Sequence, residues 1–157
     1  MPIPEFIVDL RKKIGHDLLW LPGVTGLVVD DAQRVLLVRR ADDLRWTLVT
    51  GCLDPGEQPA AGIVREILEE TGVTARAERV LAVDVTSQHT HPNGDETVFL
   101  DVGFVCTPTG GSARVNDDES VDVGWFPIAE LPALPERHEK YVRRYLDGIE
   151  ATWFAEA

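Results

Sequence analysis

The chain has 157 residues, 44% hydrophobic and 27% charged, values that fit one folded domain with a real core rather than a disordered or fibrous chain. Its formal net charge of −12 leaves no basic surplus to displace counterions, which argues against a sequence-independent nucleic-acid binder but permits small phosphorylated ligands held through a metal ion. The longest apolar run is far short of a membrane span, MPIPEFIVDLRKKIGH lacks a signal-peptide pattern, and Cys52 and Cys106 have no metal-like spacing, so the expected compartment is a reducing cytoplasm.

Residues 4–14 predict an amphipathic helix, with Phe6, Ile7, Leu10 and Ile14 on one side and Gly15 as its stop. The β-branched runs GVTGLVVD and RVLLVRR, joined by Asp30–Gln33, predict a hairpin, and RWTLVTG adds a short strand. Residues 59–70 follow as a helix, with Pro59 in the first turn and Gly72 just past the end. AERVLAVDVTS reads as a strand and QHTHPNGDE as a polar loop in which Asn93-Gly94 signals a turn. TVFLDVGFVC and VDVGWFP alternate as strands do. From about Pro135 to Phe154, a stripe of Val142, Leu146, Ile149 and Trp153 predicts a C-terminal helix. The expectation is therefore a single α/β domain over residues 1–157, with a mixed sheet, one central helix and a helix at each end.

The central helix carries an awkward group. In GCLDPGEQPAAGIVREILEETGV, Glu66, Glu69 and Glu70 stand three and four positions apart, so a helix places them on one face. Each pair of such charges, at about 6 Å and an effective dielectric near 20, repels by roughly 3 kcal/mol before screening. A cation turns that cost into a site. On a helical wheel, Ile67, Ala60, Val64, Leu68 and Ala61 fall opposite the glutamates, predicting that this apolar arc is buried and that the carboxylates face outward. Arg65 lies at the edge of the acidic arc, placed to pair with a carboxylate. Gly62 lies inside that arc, where it would clear space beside the carboxylates. Clustered hard oxygen donors suit Mg²⁺ or Mn²⁺ rather than zinc. Glu57 adds a carboxylate near the positive helix N-terminus.

Residues 51–73 resemble the Nudix box, Gly-x5-Glu-x7-Arg-Glu-U-x-Glu-Glu-x-Gly-U with U aliphatic. Gly51, Glu57, Arg65, Glu66, Ile67, Glu69, Glu70, Gly72 and Val73 match every fixed position. The lead-in RVLLVRRADDLRWTLVTG and the later WFPIAELP also look like this family. The resemblance implies an α/β/α sandwich in which the box forms a loop–helix–loop. It implies a Mg²⁺-dependent pyrophosphohydrolase, with Mn²⁺ as a substitute, cleaving the diphosphate bridge of a nucleoside diphosphate linked to another moiety. Glu66, Glu69, Glu70 and the Gly51 carbonyl would hold metal, and Arg65 would orient a glutamate. Glu66 is the first candidate for general base, followed by Glu119, six residues before Trp125, and then Glu96. The alternative is a non-catalytic nucleotide-sensing Nudix module; such modules often lose box glutamates, whereas this chain keeps them.

Two departures concern loop geometry: Val49-Thr50-Gly51 replaces the Pro-Gly-Gly lead-in common in relatives, and Gln58 stands where Ser or Thr usually caps the helix. Local substrate markers are missing, so the nucleoside diphosphate derivative is left open. Trp46 and His89, with Glu57, are candidate substrate contacts, and rim packing is the alternative for the tryptophan. Homodimers are common in the family, and the two terminal helices offer interfaces by analogy.

Overall fold

The computed structural model describes residues 4–156; the first three residues and the last, which the domain bounds 1–157 and the N-terminal reading include, lie outside it. Eight strands and three α-helices follow in the order α1 (Glu5–Ile14), β1 (Leu19–Val28), β2 (Arg34–Arg40), β3 (Trp46–Thr47), β4 (Val49–Cys52), α2 (Pro59–Thr71), β5 (Val73–Val85), β6 (His89–Thr90), β7 (Glu96–Gly111), β8 (Ser120–Pro127) and α3 (Glu136–Leu146). One sheet runs β4-β1-β7-β5, with β6 on β7; the other runs β3-β2-β8. The β1–β7 pair is parallel and its neighbours are antiparallel, so the first sheet is mixed.

Helices cover both faces of that sheet. Val24 and Val28 point into a cluster with Ile63 and Ile67 of α2, while Leu27 packs into a second cluster with Tyr141 and Val142 of α3. Alternation along β1 feeds both clusters, as expected for a strand buried on both faces. The result is the expected α/β/α sandwich, with the loop before α2, the helix and the turn at Gly72 forming the loop–helix–loop. Gly72 adopts φ +70° and donates its N–H to the Leu68 carbonyl, closing the helix. Gln58 makes no side-chain cap bond, and Pro59 occupies the first turn. Among the described residues, no helix is long and apolar enough to cross a membrane.

Three expectations are corrected. The predicted hairpin is only a turn: Asp30 donates to the Arg34 carbonyl at 3.0 Å and Val29 bridges Val35, but β1 then pairs with β4 and β7 while β2 enters the other sheet. The C-terminal helix ends at Leu146 rather than near Phe154. Gly148 takes φ +66°, and Trp153 pairs as an extended residue with β5, receiving the Val83 N–H at 2.8 Å and donating to Leu81 at 2.9 Å. Finally, α2 does not bury the apolar arc read from the wheel. Its buried residues are Gly62, Ile63, Glu66, Ile67, Glu70 and Thr71, whereas Leu68 is exposed. The sheet takes the face that joins Ile63 and Ile67 to two glutamates, because Gly26 of β1 admits both isoleucines: a methyl group there would sit 3.0 Å from Ile63 and 3.2 Å from Ile67.

Candidate active site

The site grows from the seat of α2 on the end of β4. A methyl group on Gly51 would overlap the Glu66 carboxyl, so only glycine lets the strand lie flat against that side chain. Gly62 does the same one turn earlier for Leu53, with the Glu57 carboxylate at 3.1 Å from where its methyl would be. It therefore seats the loop rather than clearing room among the metal-type carboxylates.

Arg65 organises the acidic residues. It forms a two-pronged pair with Glu57, Nε to Oε1 and Nη2 to Oε2, both at 2.8 Å. Its Nη1 donates to Glu66 Oε1 at 2.9 Å and to Glu69 Oε2 at 3.1 Å, and Nη2 also reaches the Cys52 carbonyl at 3.2 Å. The Arg65 hydrogen bonds hold the Glu57 carboxyl below the usual carboxylate range. Glu57 also accepts the Asp54 N–H at 3.1 Å, so it closes the loop.

Glu66 is 2% and Glu70 6% exposed, a burial that carboxylates tolerate only when compensated. Burial pushes the Glu66 carboxyl up to about 7, opposed by Arg65 and reinforced by Glu69 and Glu119. Burial also drives Glu70 well above the carboxylate range, with Glu66, Asp117 and Glu119 adding to it and Arg40 opposing. Glu119, distant in sequence, is thus brought within the field of both. Among the described residues, no three acidic, histidine or cysteine side chains already converge as ligands on one point; Glu66 and Glu69 are turned onto Arg65. The donor set nonetheless fits a hard divalent cation, being all oxygen, with Glu66 and Glu70 buried.

Two chambers open beside it and share Thr50, Gly51, Cys52, His91, Thr97, Phe99 and Glu119. The first, of about 440 Å³, has Pro4, Ile7, Leu21 and Phe99 among its walls and Glu66 at its inner edge. The second, of about 380 Å³, presents Arg40, Asp42, Asp101 and Arg137. His89 lines the second chamber, and its ring meets His91 edge-on at 4.6 Å. Trp46 packs edge-on against Phe126 at 4.7 Å and lines neither chamber. Glu96 lines neither as well; its carbonyl accepts a bond from Arg11 at 2.8 Å. Arg40, Asp101 and Arg137 had not been singled out from the sequence. Only Asp101 left a signal there, a lone charge inside an apolar strand run; it is 3% exposed and is bonded by Thr25 at 2.8 Å and Tyr141 at 2.9 Å.

The NUDIX domain family matches residues 20–146. A Bacillus subtilis protein provisionally named 8-oxo-dGTP diphosphatase is 32% identical over 134 residues, 84% of each chain. A Methanocaldococcus jannaschii ADP-ribose pyrophosphatase is 28% identical over 142 residues, covering 88% of this chain and 79% of that protein. The crystal structure of a MutT NUDIX hydrolase from Burkholderia pseudomallei superposes with a TM-score of 0.61 at 26% identity, covering 80% of this chain and 98% of that one. The chain belongs to the Nudix family. Within it, the likeness to diphosphatases and pyrophosphatases makes this protein a hydrolase of pyrophosphate bonds.

Proposed function

We propose that the chain is one catalytic domain that hydrolyses the diphosphate bridge of a nucleoside diphosphate derivative in the presence of Mg²⁺, with Mn²⁺ able to substitute. The observation that carries this reading is the pair of buried carboxylates, Glu66 and Glu70, on one helix, with Glu66 on the wall of the first chamber. Glu66, Glu69, Glu70 and the Gly51 carbonyl would hold the ion. When bound, it supplies positive charge to the bridging phosphates and acidifies an attacking water.

The chain's own groups divide the remaining work. Arg65 fixes Glu66 through Oε1, which sets the direction of that carboxylate in the cleft. Glu66 accepts the proton of the attacking water as general base. Glu119, at the meeting point of the chambers, adds negative charge that keeps Glu66 basic. Glu57 acts on substrate only through Arg65. The apolar first chamber receives the base, against Phe99, Leu21 and Ile7. Free Cys52 and Cys106 agree with a cytoplasmic setting.

Product analysis tests the reading. Nucleoside triphosphates, 8-oxo-dGTP, ADP-ribose, NADH, dinucleoside polyphosphates and nucleotide sugars are incubated with Mg²⁺ or Mn²⁺, alongside Glu70→Gln. Metal-dependent cleavage of one class, abolished in the variant, is the expected result. Nucleotide binding with no turnover across the panel overturns it in favour of a sensing role.

A further inference from the structure

Two arginines line the second chamber, and the protein uses them differently. Arg40 gives Nε and Nη2 to the two oxygens of Asp42, at 2.9 and 2.5 Å, so the fork that could grip another anion is already filled. Arg137 turns the other end of its guanidinium to the protein. Nη1 alone donates to Asp101 Oδ2 and to Thr25 Oγ1, the latter at 3.1 Å. Asp101 is held in turn by the hydroxyls of Thr25 at 2.8 Å and Tyr141 at 2.9 Å, so the pair is anchored to β1, β7 and α3 together. Among the described residues, no acceptor takes Arg137 Nε.

Nη2 has no acceptor among them either, and the reason lies in His138. The Leu48 N–H donates to His138 Nδ1 at 3.2 Å, so that nitrogen carries no proton. The ring is buried and neutral: burial, with Arg137 and Arg40 adding to it, pushes its pKa down to about 3. The one proton of a neutral imidazole therefore sits on Nε2, which stands 3.3 Å from Arg137 Nη2. Two donors face each other, and neither can bond the other. A buried donor without an acceptor is rare in a folded chain, and the oxygen of an anion beside Nη2 supplies what is missing. We propose that Arg137 is a substrate-binding residue whose Nε–Nη2 edge grips a phosphate oxygen in the second chamber, with Asp101, Tyr141 and His138 positioning the guanidinium for it. This rests on the hydrolase reading above and adds the residue that holds the phosphate farther from the base. A salt bridge that served only to tie α3 to the sheet would need Nη1 alone.

Arg137→Lys tests this, because an ammonium can replace Nη1 at Asp101 but has no second edge to offer. Two readouts are taken on the full chain. One is the Kd of inorganic pyrophosphate with Mg²⁺, by titration calorimetry; the other is KM and kcat for the nucleotide that the wild type cleaves fastest. Kd and KM are both expected to rise about 10- to 100-fold, the size of one lost charge-assisted contact, while kcat stays within about threefold and the melting temperature holds. Arg137→Gln combined with Asp101→Asn removes both charges of the pair at once, so that no carboxylate is left buried alone. It is expected to give the same rise, which keeps the answer readable if the lysine variant folds poorly. Kd and KM unmoved in both variants, with only the melting temperature lowered, overturns the inference in favour of a purely structural tie and leaves the hydrolase reading standing. Pyrophosphate binding that depends on Arg137, in a chain that cleaves no nucleotide of the panel, supports the phosphate contact and overturns the hydrolase reading instead.

Discussion

Gly51 of β4 and Glu66 of α2 touch so closely that any side chain on the glycine would overlap Cγ, Cδ and Oε1 of the glutamate. Strand and carboxylate are therefore placed by one contact, and Gly51→Ala must move one of them. The expected result is a destabilisation of about 1–3 kcal/mol, as for other overpacked interiors, with a fall in kcat of at least tenfold. Chemical denaturation and steady-state kinetics on the same preparation read both. Unchanged kinetics would show that the carboxylate position is set elsewhere.

Arg65→Lys keeps the charge but loses the fork that holds Glu57 at two points and Glu66 and Glu69 at a third. A drop in kcat of about 10- to 100-fold with little change in KM is expected, because lysine cannot reproduce planar, two-pronged bonding. Glu57→Gln should cost less, and the double variant should cost less than the sum of the two, since both break the same pair. A strictly additive pair would mean that Glu57 does not act through Arg65.

Stability should depend on pH through Glu66. Its carboxyl binds a proton more tightly in the folded chain, near 7, than at the ordinary glutamate value of 4.5. That contribution to stability is fully present below about pH 4.5 and is lost as pH rises toward 7; at about 1.4 kcal/mol per unit it amounts to roughly 3 kcal/mol at most. Glu70, shifted the same way, extends the loss upward in pH. Melting temperatures measured without metal should therefore decline from pH 5 to 8 on this account, and millimolar Mg²⁺ should restore them most at the alkaline end. A metal-free melting temperature that rises across this range in wild type and Glu66→Gln alike would remove Glu66 as the controlling group.

Glu66→Gln removes a buried charge while keeping its shape. The metal-free variant is expected to be more stable than wild type at pH 8, yet close to inactive because no group remains to take the proton from water. Activity within a few-fold of wild type would transfer the role of base to Glu119.

Gly62→Ala should destabilise by about 1–3 kcal/mol, reversing the gain that alanine normally brings to a helix interior, because its methyl would overlap Leu53. Thermal denaturation decides the sign. A gain in stability would mean that Leu53 has room to move away.

What the sequence determined by itself was everything carried by short spacing. The box residues from Gly51 to Val73 identify family, helix and loop, because a catalytic loop–helix–loop is a local object whose backbone needs glycine or an acid at set intervals. Strand runs and the stops at Gly15 and Gly72 were legible for the same reason. Tertiary structure decided which side of α2 is covered, and so turned Glu66 and Glu70 from solvated charges into buried ones. Helical spacing says which residues share a face; the partner surface, here Gly26 and Gly51, says which face is buried. It also paired β1 with β7 in parallel, across a crossover whose length leaves no local turn signal, and so undid the expected hairpin. The same long-range pairing brought Arg40, Asp101, Glu119 and Arg137 around one chamber and turned Trp46 onto Phe126 instead. A convergence of residues so far apart in the chain has no period to read; it exists only once two sheets and three helices are packed.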